Sequence, residues 1–406
     1  MKIYLVGGAV RDTLLNIPIF ERDWVVVGST PQDMLSRGYK QVGKDFPVFL
    51  HPINHEEYAL ARTERKFGKG HAGFFFNASH EISLEEDLYR RDLTINAIAC
   101  DEFGTFIDPY NGMRDIFLRK LRHISHAFCE DPLRVLRVAR FAARFFYLGF
   151  SVDLETLLLM KKMRSELLCL SSERIWRETE LALMTRDPHI FFKILKYCDV
   201  LSVLFPELDV LFEVPYISYS SDVSSNVGMH TLKVVSLVSK LSCSALVRFS
   251  ALCHDFEQCC FSYLFAKYFR VEYSGLRIID VFCRRLRIPA SYKEFAKVVY
   301  KYCGLLQNAK NLASYEIIKF FNDIDIWHDP SKLENLLLVS EADMLAKVGY
   351  KNYFYVQKNF IWEAYRISCL ISAKEIVDEG YQGKMISDIL NVRRRNLLDK
   401  WKHFVF

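Results

Sequence analysis

The 406-residue sequence contains no uninterrupted apolar run of 18 residues, so we expect no segment to cross a membrane as a helix. It contains no CxxC pair, and most of its 11 cysteines are isolated, which argues against a structural zinc site. Neither sign of charge dominates, because the 54 Lys and Arg exceed the 49 Asp and Glu by only 5. That balance excludes a strongly basic tail, although it leaves room for a basic patch on one surface.

The composition is that of a globular protein, with 51% apolar and 25% charged residues, and the length favours two or three domains. Isolated cysteines at this density fit a reducing compartment. The apolar run at residues 3–6 is too short for the core of a signal peptide. We therefore expect a cytoplasmic protein with no membrane partner, and the sequence leaves both a monomer and a dimer open.

Secondary-structure signals change near residue 127. Before it, short strand-like runs alternate with turns, and residues 9–15 have the pattern of a short helix. After it, apolar residues recur at helical spacing and strand signals fade. Prolines and the serine-rich residues 218–225 mark a linker. We predict an α+β fold with a mixed head at residues 1–126, followed by helical segments at 127–215, 226–330 and 331–406.

A glycine turn and an acidic pair lie close together near the N-terminus. Gly7 and Gly8 have no Cβ, so their backbone N–H groups can approach a phosphate. Arg11, on the helix that follows, offers a charged fork to phosphate oxygens. Glu21 and Asp23 lie two residues apart on an extended segment, which places both side chains on one face. Two adjacent carboxylates need a cation, and Mg²⁺ bound there would support phosphoryl or nucleotidyl transfer.

Six motifs follow one another along the chain, and together they make the pattern of the glycine turn and acidic pair specific. They read LVGGAVRD at 5–12, GKDFPVF at 43–49, ARTERK at 61–66, EDLYRRDLTINA at 86–97, IDPYNG at 107–112 and EDPLRVLR at 130–137. Together they resemble the bacterial class II tRNA nucleotidyltransferases, the CCA-adding enzymes of the polymerase β-like superfamily. The resemblance implies a polymerase β-like catalytic head, followed by a helical neck, body and tail.

The resemblance also implies an activity. It is the addition of the 3′-terminal CCA to tRNA from CTP and ATP without a nucleic-acid template, with release of pyrophosphate and two-metal Mg²⁺ catalysis at Glu21 and Asp23. One residue departs from the family pattern, which has Asp at both metal positions. Because the extra methylene of Glu21 moves its oxygens and Mg²⁺ requires near-octahedral geometry, we expect a working but slower site.

A row of arginines predicts a second part of the same site. We expect a helix over residues 130–145, on which Arg134, Arg137, Arg140 and Arg144 share one side. In an isolated sequence such a stripe is most often a solvated face. Asp131 accepts hydrogen bonds and Arg134 donates them, so the two side chains together match the Watson–Crick edge of cytosine or adenine.

Within the family, base selection belongs to the EDxxR motif, which Asp131 and Arg134 match. The resemblance further implies that the incoming nucleotide is contacted by Gly8, Arg11, Arg91, Arg137 and Arg140. The cationic, glycine-rich residues 65–73 are interpreted equally well as a lever that switches from C to A addition and as a plain surface loop. Glu56 and Glu57 are weaker candidates for a third metal-site carboxylate.

The C-terminal half contains part of another motif. His230 and the adjacent pair His254 and Asp255 suit a transition-metal phosphohydrolase site of the HD type, a domain that related CCA-adding enzymes carry. No histidine occurs from residue 256 to 327 to complete it. We therefore expect a vestigial HD-like domain without a complete metal site, where Ni²⁺ or another transition metal does not bind and hydrolase activity is lost.

Two other functions remain open for the head. A poly(A) polymerase of the same superfamily would carry an arginine-rich signature after the carboxylate strand. This chain has the sequence VGKDFPV there, at residues 42–48, which contains no arginine. The alternative of a catalytically impaired tRNA-binding protein is supported by only one sequence feature, Glu21. Extension of a tRNA that lacks its 3′ end distinguishes all three, because only a CCA-adding enzyme adds three nucleotides and stops.

Overall fold

The structure, a computed structural model, describes residues 1–42, 48–66, 74–77, 81–216, 226–261, 274–348 and 354–405. The chain forms two compact units, Met1–Pro206 and Glu207–Phe406. The four-part division predicted from the sequence is finer than these two units and stays a prediction. Within the described residues, no helix has both the length and the apolar character that crossing a membrane requires.

The N-terminal unit contains all the strands of the described residues. Their bounds are β1 Lys2–Val6, β2 Asp23–Val27, β3 Lys40–Val42, β4 Val48–Leu50, β5 Glu57–Leu60, β6 Thr63–Lys66, β7 Phe74–Asn77, β8 Ala99–Cys100, β9 Phe106–Ile107, β10 Lys120–Leu121 and β11 Ser151–Val152. Seven of them form one mixed sheet in the order β3-β4-β5-β2-β1-β8-β9. β2 lies between antiparallel β1 and parallel β5, so it is a central strand.

Helices cover the sheet and continue beyond it. In this unit they are α1 Gly8–Leu14, α2 Pro31–Ser36, α3 Leu84–Tyr89, α4 Gly112–Phe117, α5 Leu133–Phe145, α6 Leu154–Lys162, α7 Ser172–Leu183, α8 His189–Tyr197, α9 Leu201–Leu204 and α10 Pro206–Val210, which runs into the second unit. Alternation along β2 produces two cores, because Val25 packs with Leu88 of α3 on one face and Val26 packs with Met34 of α2 on the other.

The C-terminal unit is helical throughout its described residues. Its helices are α11 Val227–Leu241, α12 Ala245–Cys253, α13 Gly275–Arg285, α14 Ala290–Gln307, α15 Ser314–Asp323, α16 Ser331–Val348, α17 Val356–Ser368, α18 Ala373–Asp378 and α19 Lys384–Val405. The core consists of large apolar side chains such as Phe249, Phe282 and Phe321, which are almost completely buried. The predicted fold class, an α+β head followed by a helical body, is confirmed.

Two sequence expectations differ in detail from the structure. The helix predicted over 130–145 begins at Leu133, because Pro132 occupies its N-cap and residues His126–Glu130 form a 3₁₀ turn. Asp131 therefore lies in extended backbone before the helix and does not continue the arginine stripe. The predicted lever loop and serine-rich linker lie outside the described residues apart from residues 65 and 66.

Candidate active site

One cavity of about 570 Å³ in the N-terminal unit collects most of the residues singled out in the sequence. It lies between the glycine turn, the adjoining ends of β1, β2 and β5, and the exposed side of α5. The predicted residues in its lining are Gly8, Arg11, Asp23, Arg91, Asp131, Arg134, Arg137 and Arg140. Among the described residues, Glu21 is not part of the lining, because it precedes β2 and its side chain is exposed.

Asp23 is the first residue of β2 and stands in the cavity wall. Glu57 of β5 is its directly paired neighbour across the parallel ladder and lines the same cavity. Desolvation raises the pKa of Asp23, the charge of Glu21 raises it further, and Arg91 opposes both. Glu56 accepts a hydrogen bond from Trp24 Nε1 at 2.7 Å, so of the two candidate third carboxylates only Glu57 faces the cavity.

The glycine turn brings the backbone against an arginine. Gly7 has a φ of +68°, a conformation that residues with a Cβ rarely adopt. A Cβ added there would lie 3.0 Å from Nη1 of Arg91. Arg91 is itself held by Asp87, whose Oδ2 accepts a hydrogen bond from Arg91 Nη2 at 3.1 Å. The turn therefore needs glycine both for its backbone conformation and for the space that Arg91 occupies.

The arginines of α5 are fixed by carboxylates behind the cavity. Arg137 Nε donates to Asp92 Oδ2 at 2.7 Å, and Arg140 Nε donates to Glu178 Oε2 of α7 at 2.6 Å. Burial alone would raise the pKa of Asp92, but Arg137, Asn96 and Arg134 together lower it below its usual range. Asp92 likewise raises the pKa of Arg137. The guanidinium groups of Arg137 and Arg140 are therefore oriented before any ligand binds.

Asp131 and Arg134, the residues of the EDxxR motif, are also held from behind. Asp131 accepts hydrogen bonds from Arg174 Nη2 of α7 at 2.8 Å and from the Leu133 backbone N–H at 3.1 Å. Arg134 is buried, and its Nη1 donates to the Ala127 carbonyl at 2.9 Å. The sequence analysis missed Arg174 and Glu178, because neither belongs to a motif that it considered.

A second cluster of ligating side chains lies in the C-terminal unit. His230 of α11, His254 and Asp343 of α16 are buried, and one ligating atom from each lies within 4.8 Å of the others. His230 Nε2 is 2.9 Å from Asp343 Oδ1 and 3.8 Å from Asp255 Oδ2. His254 Nε2 is 3.1 Å from Asp255 Oδ2. Two imidazoles and two carboxylates thus converge on one point.

The cluster contains a carboxylate that the sequence prediction did not consider. The prediction looked for histidines between residues 256 and 327, whereas the structure places a carboxylate from further along the chain beside His230 and His254, that of Asp343. Its signal in the sequence is a polar row at Ser340, Asp343 and Lys347, which interrupts the apolar helix α16 at spacings of three and four residues. Ser340 and Asp343 are both buried.

The cluster fits a divalent metal ion. His254 Nδ1 is 2.7 Å from the Ala251 carbonyl, a contact that orients Nε2 towards the carboxylates. His254 Nε2 and Asp255 Oδ2 are buried 3.1 Å apart without forming a well-aligned hydrogen bond, and neither has another hydrogen-bond partner among the described residues, as expected of atoms that face a cation. Burial lowers the pKa of His254, but Asp255 and Asp343 outweigh it and raise that pKa to about 10.

Two protein-family models match successive parts of the chain. Residues 3–122 match the family described as "Poly A polymerase head domain", and residues 149–212 match "Probable RNA and SrmB- binding site of polymerase A". The first match contains the glycine turn, Asp23, Arg91 and Asp92. The second contains Arg174 and Glu178, which pair with Asp131 and Arg140 of the cavity lining.

Solved structures of CCA-adding enzymes are similar over nearly the whole chain. The Bacillus stearothermophilus CCA-adding enzyme in complex with CTP is 21% identical with a TM-score of 0.63, covering 98% of this chain and 89% of that one. A CCA-adding enzyme in complex with ATP is 20% identical with a TM-score of 0.61, covering 96% and 85%. At these identities the likeness establishes the fold. The chain is therefore a nucleotidyltransferase that carries a poly(A) polymerase head domain and has the fold of the CCA-adding enzymes.

Proposed function

We propose that this protein adds the 3′-terminal CCA to tRNA, using CTP and ATP and releasing pyrophosphate. The observation that carries the proposal is the single cavity, in which an anion-accepting arginine wall, the Asp131–Arg134 pair and the carboxylate Asp23 face one another. Similar proteins have been solved with CTP and with ATP, so the fold accommodates both substrates.

The arginines bind and orient the triphosphate. Arg91, Arg137 and Arg140 each have one part of the guanidinium fixed by a carboxylate, which leaves the cationic head directed at phosphate oxygens. Positioning of this kind lowers the barrier because little reorganisation is left for the transition state. Gly7, which lies against Arg91, and Gly8 let the nucleotide approach the backbone.

Asp131 and Arg134 read the base in this proposal. The Asp131 carboxylate accepts the exocyclic amine that cytosine and adenine share, whereas guanine and uracil present a carbonyl at that position. Arg174 holds the carboxylate, so its orientation does not depend on the nucleotide. Selection of C and A over G and U therefore belongs to the protein and needs no nucleic-acid template.

The carboxylates of the cavity fit Mg²⁺. Asp23 and Glu57 are paired across two strands, and Glu21 is near enough to raise the pKa of Asp23, a donor set of hard oxygens that repel one another without a cation. When bound, Mg²⁺ lowers the pKa of a hydroxyl and neutralises phosphate charge. We propose Glu21 and Asp23 as its ligands, with Glu57 as a third.

The test uses the purified full chain and a tRNA transcript that lacks its last three nucleotides, with Mg²⁺ and CTP alone, ATP alone or both. We expect two added residues with CTP, and three followed by a stop with both nucleotides. Asp23→Asn abolishes the extension, whereas Asp33→Asn, an exposed aspartate of α2, leaves it unchanged. A long A tail would identify a poly(A) polymerase, and binding without extension an impaired tRNA-binding protein.

We propose a divalent transition-metal site as a second function, at His230, His254, Asp255 and Asp343. The mixed imidazole and carboxylate set suits such metals better than Ca²⁺ or Mg²⁺. Calorimetric titration of the chelator-treated full chain with Ni²⁺ or Mn²⁺ tests it, with Asp388→Asn, at an exposed position of α19, as the control. The site would be contradicted if the wild type showed no heat of metal binding. It would also be contradicted if Asp343→Asn bound the metal with the same heat as the wild type.

The predicted loss of phosphohydrolase activity is a separate question from metal binding. The second oxygen of Asp343 accepts hydrogen bonds from Lys347 Nζ at 2.8 Å and from Gln307. Tyr216 stacks on His230 with ring centroids 4.2 Å apart. We expect a metal site enclosed in this way to turn over phosphodiesters poorly. Clear hydrolysis of bis-p-nitrophenyl phosphate by the Ni²⁺-loaded chain would refute this expectation.

A further inference from the structure

A chain of hydrogen-bonded polar side chains borders the cavity of the N-terminal unit, and the proposed function uses only its last link, the pair of Asp92 and Arg137. It begins at Arg144 and ends at Arg137, both on α5 and two helical turns apart. Between them it leaves α5 and passes through Asp12 and Arg11 of α1 and then through Asn96 and Asp92. Every member of this chain lines the cavity except Asp12.

Every link in the chain is a short contact. Arg144 Nη2 donates to Asp12 Oδ2 at 2.8 Å, and Arg11 Nε donates to Asp12 Oδ1 at 2.8 Å. Arg11 Nη1 donates to Asn96 Oδ1 at 2.6 Å. Asn96 Nδ2 donates to Asp92 Oδ1 at 2.9 Å, and Asp92 Oδ2 accepts from Arg137 Nε at 2.7 Å.

The middle of the chain is withdrawn from solvent. Arg11 is only 2% exposed and Asp12 only 7%. The Arg11 guanidinium lies over two aromatic rings of α5, 5.3 Å from the Phe141 centroid and 4.9 Å from that of Phe145. Burial lowers the pKa of Arg11, and Asp12 opposes that effect. In this environment a hydrogen bond to a charged group contributes more than at the surface.

The charges of the chain leave a surplus at the cavity. It contains three cations, Arg11, Arg137 and Arg144, and two carboxylates, Asp12 and Asp92. The net positive charge is therefore one, and the arginines at both ends extend to the cavity wall, where their side chains are more than a third exposed. Two carboxylates and one amide thus set the spacing of three guanidinium groups.

We propose that Asp12 and Asn96 are positioning residues that join α1 to α5 and hold Arg11, Arg137 and Arg144 at the spacing of a nucleoside triphosphate's phosphates. The inference rests on the proposed function of the cavity. Neither residue touches the nucleotide in this account; each acts through the arginines it holds. Because the arginines face phosphates and not the base, breaking a link weakens CTP and ATP equally.

The test compares Asp12→Asn, Arg144→Gln and the double variant with Asp115→Asn. Asp115 is a matched control, since it is 4% exposed and accepts hydrogen bonds from Thr94 and Arg122 away from the cavity lining. The measurements are the Kd of CTP and of ATP by calorimetry, and KM and kcat in tRNA extension. Arg144→Gln, at a partly exposed position, is the variant least able to disturb folding.

We expect each single variant to raise Kd and KM about tenfold for both nucleotides, the effect of losing one charge-assisted hydrogen bond. In the double variant Kd and KM rise by less than the product of the two single effects, because both changes break the link between Asp12 and Arg144. Asp115→Asn leaves both constants unchanged. A merely structural role would lower the thermal midpoint and active fraction without changing KM, and it would contradict the inference.

Two failures can be distinguished. Wild-type protein that binds CTP but extends no tRNA would overturn the proposed function, while the Kd values of the variants still decide the positioning role. Wild-type protein that extends tRNA, with variants whose Kd and KM are unchanged or whose CTP-to-ATP ratio shifts, would overturn the positioning role alone. Wild-type protein that neither binds nor extends would overturn both.

Discussion

Arg137 and Arg122 offer a matched pair for separating stability from nucleotide binding. Each pairs through Nε with a buried aspartate, Arg137 with Asp92 at 2.7 Å and Arg122 with Asp115 at 3.3 Å. Their side chains are 38% and 37% exposed, and only Arg137 lines the cavity. Removing one partner of a fully buried pair costs about 3–5 kcal/mol. Because these arginines are partly solvated, we expect about 2 kcal/mol for each replacement by glutamine.

Amide hydrogen exchange within the N-terminal unit measures that cost, and calorimetry measures CTP affinity. We expect both variants to lose similar protection, while only Arg137→Gln weakens CTP binding, by tenfold or more. Equal weakening by Arg122→Gln would mean that the binding defect reflects general destabilisation, and it would refute the assignment of Arg137 to the nucleotide site.

The same pair predicts a pH dependence. Burial alone would raise the pKa of Asp92, but Arg137 and its other partners lower it below the unfolded value of about 3.9. The stability that the Asp92–Arg137 ion pair contributes is therefore present when the pH is above the unfolded pKa of Asp92, and it is lost as the pH falls below that pKa. Between pH 6 and pH 3, wild type should lose stability that Arg137→Gln has already lost. Parallel curves for the two proteins would contradict the assigned ion pair.

Three further changes test other parts of the account. Glu21→Asp should raise turnover by restoring the shorter carboxylate, and an unchanged or lower rate would oppose that reasoning. Gly7→Ala should weaken CTP binding at least tenfold, since both φ and Arg91 oppose a Cβ, whereas Gly104→Ala, with a φ of +83° and nothing within 4 Å, should leave binding intact. Asp343→Asn should reduce Ni²⁺ affinity at least tenfold without affecting CCA addition, and equal affinity would exclude Asp343 as a ligand.

The head was the part of the fold that local sequence signals predicted best. Helix α1 was predicted within one residue of its observed bounds, because the glycine turn marks its start. Residues Glu130 and Asp131 were wrongly included in a helix. Pro132 fixes the backbone at the helix start, and tertiary contacts with Arg174 hold Asp131 in an extended conformation.

The partners of the site residues could not be predicted from local spacing. Asp12 and Arg144 are separated by 132 positions, and His230 and Asp343 by 113. Such pairs depend on how helices pack, and helical periodicity carries no information about which face meets which partner. Motif reasoning therefore found the side chains that face the cavity, whereas the carboxylates that hold them became identifiable only in the structure.

The central claim is that one cavity joins CMP and AMP to an RNA end in a fixed order. Mass spectrometry of a tRNA ending at the nucleotide before CCA, taken before and after incubation with Mg²⁺, CTP and ATP, tests it most directly. The account predicts a single product heavier by two CMP residues and one AMP residue. An unchanged mass, or a ladder of repeated AMP additions, would contradict it.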